Sequence, residues 1–531
     1  MQKRRILIES MEKTELLKRA RQFYDEYQIL ELEHAIDFAS SAHADQKRAS
    51  GEPYINHPIF VANKLISWGM DIDSVLAGVL HDIVEDTTVS LSKIESLFGG
   101  DVAFIVDGVT KVSKASADME DLTNYLPQTK DNLSKLLIAV GQDIRVLIIK
   151  LADRLHNLST LQYKTPDKQQ KIARESLEVF GPMADRLGMG RVRLQIEEIA
   201  FSYLDPVEFN RLKTLVAKRL GKNSRQLQEV HKEVEKTLNE YGINATIDSR
   251  VKSIYSLYLK LQKYNGNIDD IHDLMALRII VDRKEDCYLI LGILHSLYQP
   301  IMISRIKDYI STPKPNGYQS LHTTVITHNK QIVEFQIRTY EMHEFAERGL
   351  AASFHYNEQK RTKDYKLNRQ SSTLPNNMQW ITQLQEVVAK LKNGEEISRD
   401  QLQIDLFGNR IFVHSPKGDI FNLPEGALPL DFAYLVHSDI GKHAYSFRVN
   451  GKIHPFDKPL QNGDIVEVVT RKLSLPKSDW KNLITTTHAR NKLRAQLGHL
   501  GLTNMIDTSK VIREKTVRNI KRIKIRPRRK K

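Results

Sequence analysis

The stretch LSKLLIAVGQDIRVLIIKLADRLHNL, residues 133–158, has apolar side chains at intervals of three and four residues. This spacing is the period of an amphipathic α-helix with one apolar face. It recurs in LEHAIDFASSAHA, residues 32–44, and in IFVANKLISWGM, residues 59–70, where strand patterns are scarce. The first part of the chain is therefore predicted to be all-helical.

Beyond this part the sequence changes character twice. A second helical stretch follows, and then short β-rich runs at 276–282, 321–327 and 332–339 alternate with helical patterns, which is typical of an α+β domain. Farther on, Asn450-Gly451 predicts a hairpin turn within a small β-rich fold. We expect a multidomain chain with a helical domain at 1–165, a connecting helical bundle at 166–225, an α+β domain at 226–358, a linker and helix at 359–402, a small β-rich domain at 403–472 and a basic tail at 473–531.

Bulk composition limits the class of protein. A chain of 531 residues with 41% hydrophobic residues can fill several cores, and its single cysteine excludes a disulfide framework. The sequence has neither a signal peptide nor an apolar run of membrane-spanning length, so we expect a cytoplasmic protein that does not bind membranes. The net charge of +14 predicts polyanionic partners. The basic segment 510–531 fits a solvated helix end and an RNA contact about equally well.

Four side chains in the helical part have types and spacing that suit a metal hydrolase. His57, His81, Asp82 and Asp153 offer nitrogen and oxygen ligands, which fit an ion such as Mn²⁺ better than a thiolate-seeking one. A helix that begins near His81 would bring Glu85 and Asp86 close to these ligands, where they could orient or deprotonate water. Any one of these residues alone is more often structural, but the combination favours a hydrolase. Two further polar side chains could hold a phosphate or nucleotide: Arg48 and Asn157.

The segment RIKDYISTPKPNGYQSLHTTV, residues 305–325, suits phosphoryl transfer instead. This reaction needs cations against polyphosphate charge, a magnesium-binding carboxylate and a positioned acceptor hydroxyl. Tyr318 offers an aromatic face for a purine. Scattered cations usually form a solvated face and a tyrosine near a turn usually packs, but their density here favours a site. The candidate phosphate ligands are Arg250, Lys252, Lys307 and Lys314, and the candidate magnesium ligands are Asp273 and Glu334.

The motifs RASGEPYINHP (48–58), HDIVED (81–86), VTKVSK (109–114) and ADRLHNLSTL (152–161) closely resemble the HD-type hydrolase domain of the long RelA/SpoT-type guanosine tetra- and pentaphosphate synthetase/hydrolases. The resemblance implies manganese-dependent removal of the 3′-pyrophosphate from (p)ppGpp, giving GDP or GTP. By matching positions it implies that the metal is held by His57, His81, Asp82 and Asp153. The other implied roles are Glu85 and Asp86 for the water, and Lys47, Arg48, Asn157 and Thr160 for the substrate.

A second set of motifs is similar to the synthetase domain of the same family, which has a nucleotidyltransferase-like α+β fold. They are RVKSIYSLYLKLQK (250–263), IHDLMALRII (271–280), VEFQIRT (333–339) and MHEFAERGLAA (342–352). The resemblance implies Mg²⁺-dependent transfer of pyrophosphate from ATP to the 3′-hydroxyl of GDP or GTP, with AMP released. Asp273 and Glu334 would bind magnesium, and Glu334 is also a candidate base. The implied nucleotide ligands are Arg250, Lys252, Arg278 and Lys307 for ATP, and Lys314, Asn316, Tyr318, Gln319 and His322 for the acceptor.

Two details of the synthetase motifs point in opposite directions. The family's bifunctional members carry Arg-x-Lys-Asp, and residues 305–308 have this basic form. The family usually reads Ala-Ala-His-Trp after the Ala-Glu-x-Gly element, but here Ser353 stands at the histidine position. The main hypothesis is a bifunctional enzyme of the stringent response. One alternative is a hydrolase whose weak or inactive synthetase domain senses nucleotides, and another is an RNA- or ribosome-binding protein.

Residues 404–471 resemble the TGS domain, a small β-grasp module, most specifically in LPLDFAYLVHSDIGKHA, residues 428–444. The resemblance implies a contact with the acceptor end of uncharged tRNA, and His437 is the matching position. A histidine in an ordinary turn of a β-fold is an equally good interpretation. We expect a chain that is shortened after this domain relative to the longest family members.

Overall fold

The computed structural model describes residues 12–117, 140, 143–263, 275–301, 306–314, 316–351, 410–461 and 463–499. The chain divides into one unit that spans Met1–Glu396 and a second that spans Ile397–Lys531. Within the described ranges, none of the helices combines the length and the apolar character needed to cross a bilayer.

The first part of the larger unit is helical, as the sequence predicts. Asp25 begins its first helix with a capping box, in which the carboxylate accepts from the Gln28 amide and the Gln28 side chain accepts from the Asp25 amide. Gly69 ends the second helix in the left-handed conformation, at φ 79°. The helices are α1 (Glu26–Ala42), α2 (Asn56–Trp68), α3 (Ile72–Leu80), α4 (Ile83–Asp86), α5 (Leu91–Phe98), α6 (Gly100–Ala117) and α7 (Ile144–Ser159).

Connecting helices lead from this part to the α+β part. They are α8 (Pro166–Glu175), a π-helical turn (Ser176–Phe180), α9 (Gly181–Arg186), α10 (Gly190–Leu204) and α11 (Pro206–Glu240). The guanidinium of Arg154, which follows Asp153 on α7, lies 3.0 Å from the Glu175 carboxylate and 4.1 Å from the centre of the Phe180 ring. These contacts attach the connecting helices to the helix that carries a predicted metal ligand.

A carboxyl on α10 makes the stability of this region pH-dependent. Burial raises the pKa of Glu197 to about 7, although Arg193 opposes the rise. The folded chain therefore keeps this proton up to about pH 7, whereas the unfolded chain releases it near pH 4–5, so stability falls as the pH rises between these values. We expect Glu197→Gln to be more stable than the parent at pH 8, by about 2 kcal/mol, and similar to it at pH 4.

Thermal unfolding of both proteins at pH 4 and pH 8 would measure this difference. Glu235→Gln, an exposed change on α11, is the matched control and should follow the parent at both values. A Glu197→Gln variant that loses stability between pH 4 and pH 8 as steeply as the parent does would contradict the expectation.

The α+β part contains a six-stranded mixed sheet. Its order is β1-β2-β6-β5-β3, with β4 also paired to β5, and the central β2 and β6 are parallel while the other pairs are antiparallel. One face carries the apolar core with residues of α11 and α13. The elements are β1 (Thr246–Val251), α12 (Ile254–Lys263), β2 (Met275–Val281), α13 (Lys284–Leu297), β3 (Gln299–Pro300), β4 (Lys307–Asp308), β5 (Leu321–Ile326), β6 (Ile332–Thr339) and α14 (Tyr340–Arg348).

The second unit combines a hairpin, a three-stranded sheet in the order β10-β9-β11 and packed helices, which fits the expected β-grasp fold. Asn450, at φ 52°, and Gly451 form the predicted turn between β9 and β10. Its elements are β7 (Arg410–His414), β8 (Ile420–Pro424), α15 (Pro429–Val436), α16 (Ser438–Lys442), β9 (Ala444–Val449), β10 (Lys452–His454), β11 (Val466–Thr470), a 3-10 turn (Ser478–Leu483) and α17 (Thr487–His499).

A buried carboxyl group ties the start of α17 to the core of this unit. Asp431 is 1% exposed and accepts hydrogen bonds from the Leu428 amide and from the amides and hydroxyls of Thr485 and Thr486. A buried carboxyl group needs such donors, because it has lost its hydration. The start of α17 is therefore fixed by a residue of α15.

Candidate active sites

Three separate segments bring the predicted hydrolase residues together. His57 lies in the first turn of α2, His81 and Asp82 occupy the turn between α3 and α4, and Asp153 lies on α7. The sequence predicts a helix that begins near His81, and α4 begins two residues later, at Ile83. The ligand atoms of His57, His81 and Asp153 all lie within 4.8 Å of one another.

The Asp82 carboxylate completes this group. Its Oδ2 lies 3.3 Å from Nε2 of His57, and its Oδ1 lies 3.1 Å from Nε2 of His81. The Asp153 Oδ1 lies 3.4 Å from the same His57 nitrogen. Two imidazoles and two carboxylates therefore converge on one point.

The hydrogen bonds around the two imidazoles leave their Nε2 atoms available for a metal ion. Nδ1 of His81 lies 2.9 Å from the Gly78 carbonyl oxygen, which fixes the proton on that nitrogen. The buried His81 Nε2 has no aligned hydrogen-bond partner in the described ranges. A buried polar atom without a partner is costly unless something binds it. The arrangement thus fits a divalent metal ion held by nitrogen and oxygen ligands.

The carboxylates are ionised and ready to act as ligands. Burial alone would raise the pKa of Asp153, but the Lys150 ammonium and the His57 ring outweigh it and hold the pKa well below its usual range. Lys150 Nζ lies 2.7 Å from Asp153 Oδ2, and Asn157 donates to Asp153 Oδ1 at 2.6 Å. These two donors fix the orientation of the carboxylate.

His156 holds the His57 ring through a contact between their Nδ1 atoms. The Nδ1 atoms of the two rings lie 2.7 Å apart, and burial lowers the pKa of His156 to about 3, with a further contribution from His57. Since His156 is neutral at physiological pH, its Nδ1 can accept the proton on His57 Nδ1. This bond holds the His57 ring with Nε2 toward the metal site.

We expect His156→Leu to weaken divalent metal binding about 10- to 100-fold, because the variant leaves His57 Nδ1–H unsatisfied and its ring less fixed. Calorimetric titration of the metal-free protein with Mn²⁺ would measure the change. His34→Leu, whose ring packs on Phe98 instead, is the control and should bind the metal as the parent does. Equal Mn²⁺ affinities for the two variants would rule out a supporting role for His156.

A cavity of about 340 Å³ opens beside this group. Arg48 crosses it and donates to the Asn157 side-chain oxygen at 2.8 Å, with Thr160 Oγ1 at 3.5 Å. Every other predicted hydrolase residue except the fully buried His81 also lines the cavity, together with residues that sequence reasoning did not identify. The full lining is Lys47, Arg48, Ala49, Ser50, Tyr54, His57, Asp82, Glu85, Asp86, Lys150, Asp153, Asn157, Thr160, Tyr163 and Lys164.

Tyr54 and Lys150 are two residues of this cavity that the sequence interpretation missed. The Tyr54 hydroxyl lies 2.7 Å from Asp82 Oδ2 and 2.8 Å from Asp86 Oδ2, so its single proton can be donated to either carboxylate and the hydroxyl lies between the two. Both residues were within reach of sequence reasoning. Tyr54 lies inside the motif 48–58, and Lys150 precedes Asp153 by three residues, which places both on one face of a helix.

Four of the predicted synthetase residues share the polar face of the mixed sheet: Arg250, Arg278, His322 and Glu334. Arg278, Gln336 and His322 lie directly opposite one another on β2, β6 and β5. Glu334 precedes Gln336 by two residues and therefore shares its face. His322 Nδ1 lies 2.9 Å from Glu334 Oε1, and Arg250 donates to Gln336 Oε1 at 3.0 Å. Sequence reasoning missed Gln336, which links these strands.

Lys314 and residues 316–318, which we call the acceptor loop after their predicted role, meet this face through aromatic contacts. The Lys314 ammonium lies 4.7 Å from the Tyr309 ring centre and 5.1 Å from that of Tyr318. The Tyr318 hydroxyl is 2.9 Å from His322 Nε2. The structure therefore connects Lys314, Tyr318, His322 and Glu334 in one continuous chain.

Positive charges crowd around this face. Burial lowers the pKa of Arg338 to about 10, and repulsion from Arg278 and Arg250 contributes further. Burial also lowers the pKa of Lys314, and nearby cations add to the effect. Sequence reasoning missed Arg338, which is 1% exposed. A polyphosphate bound here would relieve the repulsion among these cations.

The remaining synthetase candidates differ in their placement. Gln319 donates to the Ile310 carbonyl oxygen at 3.2 Å, Lys252 is half-buried just after β1, and Lys307 is exposed on β4. Asp273 and Ser353 lie outside the described residues.

His437 is exposed in the second unit. It precedes α16, and its Nδ1 accepts a hydrogen bond from the Asp439 amide at 3.2 Å. This contact gives His437 a capping role, which agrees with its interpretation as an ordinary histidine in a turn.

Comparison with known proteins adds independent information. Residues 35–190 match the HD domain, residues 249–361 match the region found in RelA / SpoT proteins, and residues 411–470 match the TGS domain. A solved structure described as "A metazoan ortholog of SpoT hydrolyzes ppGpp and plays a role in starvation responses" is 27% identical, with a TM-score of 0.25 over 33% of this chain and 95% of its own.

Two curated bacterial relatives match most of the chain. The chain is 41% identical to a probable guanosine-3′,5′-bis(diphosphate) 3′-pyrophosphohydrolase of Synechocystis sp., over 87% of this chain and 59% of the relative. It is 39% identical to a GTP pyrophosphokinase of Myxococcus xanthus, over 87% of this chain and 60% of the relative. The chain thus spans about three fifths of the length of these relatives. The chain thus carries an HD domain, a RelA/SpoT region and a TGS domain, and along most of its length it is similar to proteins of the RelA/SpoT family.

Proposed function

We propose that this chain is a bifunctional alarmone enzyme of the stringent response. One site hydrolyses the 3′-pyrophosphate of (p)ppGpp to GDP or GTP plus pyrophosphate, and the other transfers pyrophosphate from ATP to the 3′-hydroxyl of GDP or GTP, giving (p)ppGpp and AMP. The observation that supports this most directly is the convergence of His57, His81, Asp82 and Asp153 beside a polar cavity. Curated relatives that carry the hydrolase name and the synthetase name support both halves.

In the hydrolase site the four converging residues would hold Mn²⁺. When bound, such an ion lowers the pKa of water and polarises a phosphoryl oxygen. Glu85 and Asp86 line the cavity next to these ligands, where a carboxylate can orient the water and accept its proton. The Tyr54 hydroxyl, 2.8 Å from Asp86 Oδ2, can donate its proton to this carboxylate and help to orient it.

The substrate would enter the hydrolase cavity on its basic side. Arg48 and Lys47 place cations there, and Asn157 and Thr160 add hydrogen-bonding groups. The bond between Arg48 and Asn157 already holds the guanidinium over the cavity, so little reorganisation is needed when a phosphate binds. The pyrophosphate leaves with the oxygen that the water supplies, and the 3′-oxygen of the nucleotide takes a proton.

In the synthetase site Glu334 is the proposed base. It would take the proton of the acceptor 3′-hydroxyl as that oxygen attacks the β-phosphorus of ATP and AMP departs. His322 lies 2.9 Å from Glu334, and burial lowers the pKa of His322, so a neutral imidazole stands beside the carboxylate. Glu334 would also bind Mg²⁺ together with Asp273.

Cations and an aromatic ring would hold the two nucleotides of the synthetase reaction. Crowded positive charges on the sheet face favour the ATP phosphates. Tyr318 would stack on the guanine of the acceptor. The proposed ligands are Arg250, Lys252, Arg278 and Lys307 for ATP, with Lys314, Asn316, Gln319 and His322 around the acceptor.

The TGS unit and the basic tail would add partners in the cytoplasm. The exposed His437 is the proposed contact for the acceptor end of uncharged tRNA. The segment 510–531 is the proposed contact for ribosomal RNA. Strong binding through such cations would weaken steeply with added salt.

Two assays test the proposal on the purified chain. One supplies ATP, GDP and Mg²⁺ and measures ppGpp and AMP, and the other supplies ppGpp and Mn²⁺ and measures GDP and pyrophosphate. Both products are expected. Failure of the second reaction would overturn the proposal at its strongest point, whereas failure of the first alone would favour a hydrolase with a nucleotide-sensing synthetase domain, which is the alternative that Ser353 suggests.

A further inference from the structure

The acceptor loop rests against the turn between α9 and α10, which lies outside the matched RelA/SpoT region. Gly188 in this turn has φ +71°, and a Cβ built there would lie 2.8 Å from the Asn316 carbonyl oxygen and 3.2 Å from Cε1 of Phe345. Real Cβ atoms essentially never approach another heavy atom within 3.0 Å. The backbone of the connecting helices therefore touches the backbone of the loop at a point where a side chain would not fit.

Two more glycines complete this contact. Gly317 in the loop has φ +77°, and its Cβ would lie 2.6 Å from Cε1 of Phe345 on α14. Gly349, at the end of α14, has φ +60°, and its Cβ would lie 2.2 Å from the Leu187 carbonyl oxygen. The Leu350 amide donates to that same oxygen at 2.9 Å. Three segments distant in sequence thus meet around the Phe345 ring.

Polar bonds add to this glycine junction. The Asn316 side chain donates to the Asp185 carbonyl oxygen at 3.1 Å, so the loop is bonded to α9. Within the loop, the Gly317 amide donates to the Lys314 carbonyl oxygen at 2.8 Å, and the Lys314 amide donates to that of Tyr318 at 3.1 Å. The loop is a tight turn, so a shift at Gly317 would be transmitted to Tyr318.

We propose that the turn at Gly188 is a positioning element for the guanosine acceptor of the synthetase. This inference rests on the proposed function. The turn fixes the position of the acceptor loop relative to the polar face of the sheet. The loop carries Tyr318, whose hydroxyl bonds His322 beside Glu334. Displacement of the loop by a fraction of an ångström would move the guanine ligand while leaving the strands that hold ATP in place. Gly188 is thus a positioning residue for the acceptor site, and the connecting helices supply it.

The test is Gly188→Ala in the full chain, with Gly242→Ala as the matched control. Gly242 has the same φ of +71°, and nothing lies within 4 Å of its Cβ position, so it carries the backbone strain without the displacement. We expect Gly188→Ala to raise the KM and the Kd for GDP about 10- to 100-fold more than Gly242→Ala does. The KM for ATP and the rate of ppGpp hydrolysis should stay within about twofold of the control.

Phe345→Ala provides a second variant without left-handed strain. It removes the ring that supports Gly317, so the GDP KM should rise again relative to the ATP KM. If Gly188→Ala unfolds the chain and hydrolysis is lost as well, an unchanged GDP KM in Phe345→Ala overturns the inference.

The outcomes separate this inference from the proposed function. GDP binding and KM values that are equal in Gly188→Ala and Gly242→Ala overturn the positioning role while synthesis by the parent remains. A parent that binds GDP without making ppGpp contradicts the synthetase proposal, and the GDP Kd of the two variants still decides the positioning role. A parent that neither binds GDP nor makes ppGpp overturns both.

Discussion

Asp153→Asn is expected to abolish most ppGpp hydrolysis, lowering the rate on the order of 10³-fold. The substitution removes a charged ligand from a four-residue group, and loss of about 4 kcal/mol of transition-state stabilisation corresponds to this factor. It also places an amide where Lys150 and Asn157 both donate, at 2.7 and 2.6 Å, so one donor must face an NH₂ group. Hydrolysis of ppGpp and Mn²⁺ titration would measure the two losses.

Asp143→Asn is the matched control for this change. Asp143 precedes the same helix, caps it by accepting from the Arg145 amide, and bonds the Arg145 guanidinium at 2.7 Å. The control therefore loses a structural carboxylate without touching the metal group, and it should bind Mn²⁺ and hydrolyse ppGpp normally. Equal hydrolysis by the two variants would exclude Asp153 from the site. The synthetase rate of both should match the parent, because the sheet face is separate.

Glu334→Gln is expected to lower ppGpp synthesis on the order of 10³-fold while hydrolysis stays within about twofold. The glutamine keeps the size of the side chain but cannot take the acceptor proton, and it weakens the proposed magnesium site. It also changes the group that faces His322 Nδ1 at 2.9 Å. AMP release from ATP and GDP would measure synthesis.

Glu341→Gln is the control for Glu334→Gln, because Glu341 is an exposed residue in the first turn of α14. It should retain both activities. If a Glu334→Gln variant still made ppGpp at the parent rate, Glu334 would not be the catalytic base. Another group would then have to accept the proton of the acceptor hydroxyl.

The helical fold could be predicted from sequence, and the candidate metal ligands could be selected, because both rest on local pattern. Periodicity placed the helices of the first domain, and adjacent His81-Asp82 with a downstream Asp153 is an unusual combination. The hydrogen bonds that orient these candidate ligands were harder to predict. His156 bonds His57 across 99 positions of sequence, and only the packing of α2 against α7 brings the two rings together.

The predicted synthetase residues likewise include some that follow from the sequence pattern and others that only the packing reveals. Alternation along β6 places Glu334 and Gln336 on one face from sequence alone, since the strand period is two. The junction at Gly188 could not be predicted, because a glycine that fits against a distant carbonyl has no local pattern. Arg338 was missed for a different reason, since an arginine in a strand ordinarily faces solvent and this one is 1% exposed.

The Asp431 network has a consequence for how the second unit can vary. Five donors reach this carboxylate, four of them from the neighbouring pair Thr485 and Thr486. A substitution that removes either threonine hydroxyl would take one of these donors away from a buried carboxyl group and would destabilise the second unit. The two threonines before α17 thus contribute to the stability of the second unit, and a fragment that ends before Thr485 would lack four of the five donors to Asp431.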